Sequence, residues 1–121
     1  MLNLDTHILV FAMEGELSRK EKDLLRSQRW GISSIVLWEL SSLVRLGRIT
    51  LDIQSPAFEN ALSRIHVWPI DLAVCRQLRF LDFKSDPADE IIAATSVVNG
   101  APLVTRDRRL LSSQVVPLAE R

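Results

Sequence analysis

Short apolar segments alternate along the chain with longer segments that carry helix signals. The short segments lack alternating polar positions, which is typical of strands buried on both faces of a parallel sheet. They predict strands at Leu2–Leu4, Gly31–Ser33, His66–Ile70 and Pro102–Thr105, and a last extended piece at Val115–Val116. We therefore expect a parallel sheet covered by helices on both sides.

The segments between these strands carry start and stop signals of helices. Ser18, with Glu21 three residues later, matches a capping box, and Asp86-Pro87 is a strong helix start. The first predicted helix begins within Ile8–Met13. The others span Ser18–Arg29, Ile35–Leu46, Phe58–Ile65, Leu72–Leu81, Pro87–Val98 and Asp107–Leu111. Ser34 is the predicted N-cap of the helix Ile35–Leu46, and Asp71 that of Leu72–Leu81. The alternation predicts one domain, residues 1–121, with an α/β fold: a three-layer α/β/α sandwich around a short central parallel sheet.

Composition narrows the class of protein. The chain is 47% hydrophobic and 25% charged, as in an ordinary globular domain, and no apolar run approaches the roughly 18 residues of a membrane span. The first residues carry no basic segment, and the single Cys75 excludes an internal disulfide, so we expect a cytoplasmic protein without a secretory signal. Lys+Arg and Asp+Glu are both 15, and this zero net charge neither supports nor excludes nucleic-acid binding.

Four acidic residues stand where a solvated surface does not explain them well. Glu39 is a lone charge within the apolar segment Ile35–Leu40, and a buried, unpaired carboxylate costs on the order of several kcal/mol. Asp5 and Asp107 follow the first and fourth predicted strands, at the edge where open parallel sheets bind ligands. Asp89 lies in the first turn of a helix that begins at the same edge. We expect the four to converge there.

Each of these acids also has a structural explanation when it is taken alone. Glu39 can face solvent or pair with an arginine, and Asp5 and Asp107 can be turn or N-cap residues. Asp89 can form a capping box with Asp86. Four carboxylates in one place, however, repel one another unless a cation lies between them. Mg²⁺ or Mn²⁺ suits such oxygen ligands, whereas one cysteine and two histidines disfavour zinc.

Four motifs together resemble the PIN domain, most closely the VapC-type toxins of toxin–antitoxin modules. They are Leu4–His7, Ser33–Ser34 with Trp38–Leu40, Asp86–Thr95 and Leu103–Arg108. The resemblance covers essentially the whole chain. It implies a flavodoxin-like sandwich and an endoribonuclease that depends on Mg²⁺ or Mn²⁺. It further implies an RNA substrate, inhibition by a cognate antitoxin protein, and a homodimer.

Carried over by position, the resemblance assigns roles to individual residues. It makes four acids both catalytic and metal-binding: Asp5, Glu39, Asp89 and Asp107. It also implies that Thr105 supports the site and that Asp86 adds a carboxylate behind the metal ligands. Glu90 departs from the family pattern, which commonly has Arg there, and this departure concerns substrate contacts near Asp89. The implied reaction uses water oriented by the metal, with no side-chain nucleophile.

Weaker signals concern basic and core residues. Arg106 and Arg108 flank Asp107 and are candidate RNA contacts, with a solvated charged face as the equal alternative. His7 is predicted to be a structural histidine in preference to a substrate contact. Core packing is predicted for Cys75, and also for Trp38 and Trp68.

Two other functions remain open from the sequence. The first is a PIN-like module that binds RNA or protein without cutting, which metal binding would argue against. The second is a housekeeping RNA-processing nuclease, or a nuclease for single-stranded DNA, which the same carboxylates would serve. No glycine-rich phosphate loop or nucleophile elbow supports a P-loop kinase, a dinucleotide enzyme or a serine hydrolase.

Overall fold

The computed structural model describes residues 1–120 and contains a four-stranded parallel sheet. The strands are β1 (Leu2–Leu4), β2 (Trp30–Ser33), β3 (His66–Trp68) and β4 (Leu103–Val104), in the order β3-β2-β1-β4. Helices flank the sheet, which confirms the predicted α/β fold. Strand β1 lies in the centre, where Asn3 is in register with Gly31 of β2 and Leu103 of β4.

Seven α-helices are present in the described chain. They are α1 (Thr6–Glu14), α2 (Arg19–Arg26), α3 (Ser34–Arg45), α4 (Pro56–Leu62), α5 (Leu72–Gln77), α6 (Pro87–Asn99) and α7 (Arg108–Leu111), with a 3-10 turn at Leu78–Phe80. The capping box of Ser18 and Glu21 is formed, and Asp71 caps α5, as predicted. Gly100 ends α6 with a φ of 61°, a left-handed conformation that glycine adopts without steric cost. No described helix has the length and apolarity that a membrane crossing requires.

The core joins the centre of the sheet to α6. Leu2, Leu4 and Ile92 are fully buried in it. Asn3 lies among them with no exposed surface, and its side-chain amide donates to the Ile92 carbonyl at 3.0 Å and to the Ser96 hydroxyl at 2.8 Å. These two bonds tie α6 to β1, so the start of α6 is held in a fixed relation to the end of β1.

Several predicted boundaries are wrong by one or two residues. The N-cap of α3 is Ser33 and not Ser34, because the Ser33 hydroxyl accepts the Ile35 amide at 3.2 Å. Strand β3 ends at Trp68, before Pro69, which has no amide hydrogen to donate to a neighbouring strand. No strand forms at Val115–Val116 in the described chain; an isolated bridge instead pairs Leu118 with Leu103.

Two predictions of core packing are also wrong. Trp38 is 62% exposed, because α3 buries the face that carries Val36 and Leu40, and a position midway between them points away from it. Cys75 is exposed because α5 buries Val74, and adjacent helix positions point in different directions. Trp68 is partly buried, as expected of a residue whose ring lies close to Gly31.

Candidate active site

Asp5 lies at the end of β1 and links that strand to α1. It is only 6% exposed, and its amide donates to the Val104 carbonyl at 3.0 Å, beside the end of β4. One carboxylate oxygen accepts the Thr6 amide at 2.8 Å, which makes Asp5 the N-cap of α1. The other oxygen accepts the Thr105 hydroxyl at 2.7 Å. Asp5 therefore combines the predicted capping role with a position at the carboxyl edge of the sheet.

Glu39 reaches the same edge from α3. Its carboxylate is half-buried and accepts a hydrogen bond from the hydroxyl of Thr6, the residue that follows Asp5. Because Thr6 is fully buried, this bond fixes Glu39 against the start of α1. The alternatives of a solvent-facing Glu39 or an ion pair with an arginine do not describe its position.

Asp89 lies in the first turn of α6 and is held locally. Its carboxylate accepts the Ser85 hydroxyl at 2.8 Å, and Glu90 accepts the Ser85 amide at 3.0 Å. Asp86 is the N-cap residue by position, but its exposed side chain makes no capping bond within the described chain. The capping box considered for Asp86 and Asp89 is therefore wrong.

Asp107 is the N-cap of α7, as its position after β4 predicted. One carboxylate oxygen accepts the amides of Arg109 at 2.8 Å and Leu110 at 3.2 Å. Its own amide donates to the Thr105 hydroxyl at 3.0 Å, and that hydroxyl in turn donates to Asp5. Thr105 thus links the first and fourth acids, in the position where the resemblance placed a supporting hydroxyl.

The four carboxylates interact through their charges. Burial raises the pKa of Asp5, and the nearby charge of Asp89 raises it further. Burial also raises the pKa of Glu39, with added repulsion from Asp5 and Asp89. The pKa of Asp89 is raised by burial and then by the charges of Asp107 and Asp86. These charge effects link Asp5, Glu39 and Asp89 to one another, and they link Asp107 to Asp89.

Two hydroxyls that the sequence did not single out, and His7, which it did, also belong to this site. The hydroxyls of Thr6 and Ser85 bind Glu39 and Asp89, and each is a short side chain close to an acid in the sequence. His7 is exposed on α1. Burial raises the pKa of Asp5, Glu39 and Asp89, and the charge of His7 offsets a small part of that rise. The available signal was a hydroxyl residue close to a candidate acid: Thr6 directly follows Asp5, and Ser85 lies four positions before Asp89.

The donor set matches a hard divalent ion by its chemistry. All four acids offer carboxylate oxygens, which Mg²⁺ and Mn²⁺ prefer, and their mutual repulsion favours a cation between them. Within residues 1–120 no three acidic, histidine or cysteine side chains already stand close enough to enclose an ion. Mg²⁺ commonly binds through one or two carboxylates and keeps several waters, so an open arrangement is compatible with it.

The candidate RNA contacts have different surroundings. Arg106 binds the Glu21 carboxylate through two nitrogens, at 2.8 and 2.7 Å, and so lies against α2. Arg108 is exposed at the first position of α7.

The sheet is parallel and flanked by helices, and acidic side chains lie at the carboxyl ends of its strands. The protein is therefore a small α/β domain with an acidic site. The particular family follows from comparison: residues 3–113 match the PIN domain, and the chain belongs to that family. PIN domains are typically nucleases and generally use divalent metal ions.

Three solved structures share this fold. A toxin–antitoxin complex from Klebsiella pneumoniae is 21% identical with a TM-score of 0.69, over 93% of this chain and 91% of that one. VapBC2 from Rickettsia felis, bound to a DNA fragment from its promoter, is 21% identical with a TM-score of 0.73, over 99% and 98%. FitAcB from Neisseria gonorrhoeae is 23% identical with a TM-score of 0.62, over 91% and 90%. No curated protein matches the chain.

Proposed function

We propose that the protein is a metal-dependent endoribonuclease that hydrolyses RNA phosphodiester bonds. The observation that carries this proposal is the coupling of four carboxylates supplied by β1, α3, α6 and the start of α7. Such carboxylates destabilise one another in the metal-free protein, and a divalent ion relieves the repulsion. Membership of the PIN family, whose domains are typically nucleases, supports the same conclusion.

The residues of this chain would divide the work as follows. Asp5, Glu39 and Asp89 would hold Mg²⁺ or Mn²⁺, with Asp107 acting partly through water. When bound, such an ion supplies Lewis-acid stabilisation of the scissile phosphate and activation of water. Thr105 would orient Asp5, and Thr6 would orient Glu39, through the hydroxyl bonds described above.

The test is RNA cleavage by the purified chain with Mg²⁺, with Mn²⁺ and with a chelator. We expect cleavage that requires the metal and is lost in Asp89→Asn, which keeps the shape of the side chain and removes its charge. Asp23→Asn is a matched control, since Asp23 is an exposed residue of α2. Metal-independent cleavage, or full activity in Asp89→Asn, would contradict the proposal.

The two alternative functions give different results in the same assay. A non-catalytic PIN-like module would cut no RNA and would bind no metal. Because Trp38 is adjacent to Glu39, its fluorescence should then stay constant when Mg²⁺ or Mn²⁺ is added. A DNA nuclease would prefer single-stranded DNA over RNA of the same sequence. A housekeeping RNA-processing enzyme would leave growth unaffected on expression, whereas a toxin would arrest growth unless Asp5 is replaced.

We also propose that the protein is the toxin of a toxin–antitoxin pair. The Klebsiella and Rickettsia structures are complexes of this kind, and they share its fold. A groove of about 640 Å³ offers a docking surface for a partner helix. It is lined by apolar side chains that include Met13, Trp30, Phe58 and Ile65, with Arg29 and Arg64 also in the lining. Asp52 lies in the lining as well, so the groove carries an excess of one positive charge, which favours a partner with an acidic residue beside its apolar face.

Co-expression with whichever gene lies next to this one in the genome tests the partner. We expect stable co-purification and loss of growth arrest. Ala57→Arg, which places a bulky charge in the groove, should break the complex, whereas Ala73→Arg on exposed α5 should not. Equal co-purification of both variants would contradict docking in the groove.

We also propose a quaternary state and a cellular location, each from fewer observations. Four large apolar side chains of the described residues are more than half exposed, and a homodimer interface would cover such side chains: Trp38, Leu46, Leu72 and Phe80. Light scattering should therefore give twice the chain mass, and Leu72→Ser should lower it. We propose a cytoplasmic location, because an RNA substrate and a toxin role would both require it.

A further inference from the structure

We infer that Arg106 is a positioning residue, which holds the segment Thr105–Asp107 in place by binding Glu21 of α2, and that it does not contact RNA. The inference rests on the proposed function for its consequence on catalysis. Its structural part, a fixed loop between β4 and α7, is independent of what the protein cleaves.

The guanidinium of Arg106 is engaged on several sides. It binds both carboxylate oxygens of Glu21, at 2.8 and 2.7 Å, and donates to the Glu16 carbonyl at 3.3 Å. It also lies over the ring of Phe11, with 4.0 Å between the guanidinium carbon and the ring centroid. Bidentate pairing and stacking are the geometry that a planar guanidinium makes best. They engage Nε and Nη2, while 45% of the side chain stays exposed, so a positioning role and a phosphate contact are separated by the measurements below.

The Glu21 side of this pair is well ordered by other contacts. Its side chain is only 13% exposed, and one carboxylate oxygen also accepts the Ser18 amide at 2.8 Å in the capping box of α2. The hydrogen bonds from Arg106 are the main reason that the pKa of Glu21 falls to about 2. Glu21 is therefore charged at every pH at which the protein would work, and the pair persists.

The pair acts on the site because Arg106 lies between two groups of the acidic cluster. Thr105 precedes it and donates to Asp5 at 2.7 Å, while Asp107 follows it and donates its amide to Thr105 at 3.0 Å. β4 contributes only Leu103 and Val104 to the sheet, so the strand itself provides little restraint on the residues that follow. The Arg106–Glu21 pair supplies that restraint from the side of α1 and α2.

The chain offers matched variants that separate this role from RNA binding. Arg106→Gln removes the positive charge and the paired N–H donors of the guanidinium. Arg106→Lys keeps the charge but cannot form the bidentate bond. Glu21→Gln breaks the ion pair yet keeps the capping box, since Gln serves at that position as well as Glu. The controls are Arg26→Gln and Asp23→Asn, because Arg26 and Asp23 form an exposed pair on the same helix at 3.9 Å.

The first measurement is hydrogen exchange of the purified chain, read in peptides that cover residues 103–111. Arg106→Gln and Glu21→Gln should both raise exchange there, and the Arg26 and Asp23 controls should not. This measurement needs no activity, so it decides the structural role even if the proposed nuclease function fails. Unchanged exchange in both Arg106→Gln and Glu21→Gln would overturn the inference.

The second measurement is the split between kcat and KM for RNA cleavage. A misplaced catalytic group commonly costs on the order of tenfold to a hundredfold in rate, so kcat should fall by that factor at constant KM in Arg106→Gln and Glu21→Gln. Arg106→Lys should recover part of the loss. If Arg106 instead contacts RNA, Arg106→Gln will raise KM and leave kcat unchanged. Glu21→Gln will then either leave KM unchanged or lower it. That result would overturn the inference.

Discussion

The four acids form two halves that differ in how their carboxylates are held. Asp5 caps α1 locally through the Thr6 amide, but its second oxygen and the Glu39 carboxylate are bound by threonine hydroxyls 100 and 33 residues away in sequence. Asp89 and Asp107 are bound by groups within four residues, the Ser85 hydroxyl and the first amides of α7. The first half therefore depends on the tertiary fold, whereas the second is built by local turns and caps.

This difference has a consequence for the chemistry of each half. The hydroxyls that bind Asp5 and Glu39 belong to Thr105 and Thr6, which are themselves part of the site. Loss of either hydroxyl therefore disturbs the acid that it binds. Both carboxylates accept two hydrogen bonds, Asp5 with two oxygens and Asp107 with one, so burial is what separates them. Asp5 is buried, and its charge is less screened by water than that of the partly buried Asp107. We expect the first half to dominate metal binding and the second to refine it.

The largest expected effect is that of Asp5→Asn. Asn can still cap α1 through its carboxamide oxygen, and its amide nitrogen can donate to the Thr105 hydroxyl, but it lacks the charge that attracts a divalent ion. The loss of several kcal/mol of transition-state stabilisation corresponds to a decrease of more than about a thousandfold in kcat. Metal-dependent RNA cleavage measures this directly.

The same variant should not lose stability without metal. Replacing a buried, repelled carboxylate by a neutral amide removes an unfavourable charge, so urea unfolding should give an equal or higher free energy of unfolding. An inactive but unfolded Asp5→Asn protein would mean that Asp5 is a structural residue, and the distinction between the two halves would fail.

A smaller effect is expected from Asp107→Asn in the second half. Asn is as good an N-cap as Asp, so α7 should remain, and only the partly engaged carboxylate is lost. We expect a decrease in kcat of roughly tenfold to a hundredfold, well below that of Asp5→Asn. Equal losses in the two variants, measured in the same metal series, would show that the halves contribute alike.

Thr6→Val and Ser85→Ala compare the supporting hydroxyls of the two halves. Val has nearly the shape of Thr, so the buried position of Thr6 stays filled while Glu39 loses its donor. We expect kcat to fall by about tenfold in Thr6→Val and by less in Ser85→Ala, because Asp89 lies on a helix fixed to β1 through Asn3. A larger loss in Ser85→Ala would reverse the ranking of the halves.

The sequence predicted the local half of the site better than the tertiary half. Asp107 as an N-cap follows from its position after a strand, and the start of α6 follows from Asp86-Pro87. The bond from Thr6 to Glu39 could not be predicted, because it requires the relative placement of α1 and α3. The order of strands and the pairing of Arg106 with Glu21 are long-range in the same way.

The errors in the fold have a related cause. Trp38 lies in an apolar segment, so its hydrophobicity suggested burial, but the helix phase set by Val36 and Leu40 turns it outward. Ser33 and Ser34 are equivalent capping residues by type, and only the backbone geometry distinguishes them. Periodicity therefore gave the elements, while exact boundaries and exposed faces depended on packing.

A last predicted effect, comparable in free energy to the roughly tenfold loss in Thr6→Val, is a stabilisation by metal that depends on pH. The pKa values of Asp5, Glu39 and Asp89 are raised in the folded chain, above ordinary values of 3.8 for Asp and 4.5 for Glu. In the interval between each ordinary value and the raised one, the folded state holds more protons than the unfolded state. The metal-free protein should therefore lose stability as the pH rises through these raised values. A bound divalent ion competes with those protons, so its stabilising effect should grow over the same interval.

At ten times the metal Kd we expect about 1.4 kcal/mol, or roughly 4–8 °C in Tm, at a pH of about 7.5. The shift should shrink as the pH falls toward the raised pKa values. Thermal unfolding with and without Mn²⁺ measures it, with Asp23→Asn as the variant that keeps the shift. Asp5→Asn should abolish the shift and Asp107→Asn should only reduce it, because the tertiary half supplies most of the metal affinity. A shift that survives in Asp5→Asn but not in Asp107→Asn would assign the metal to the local half instead.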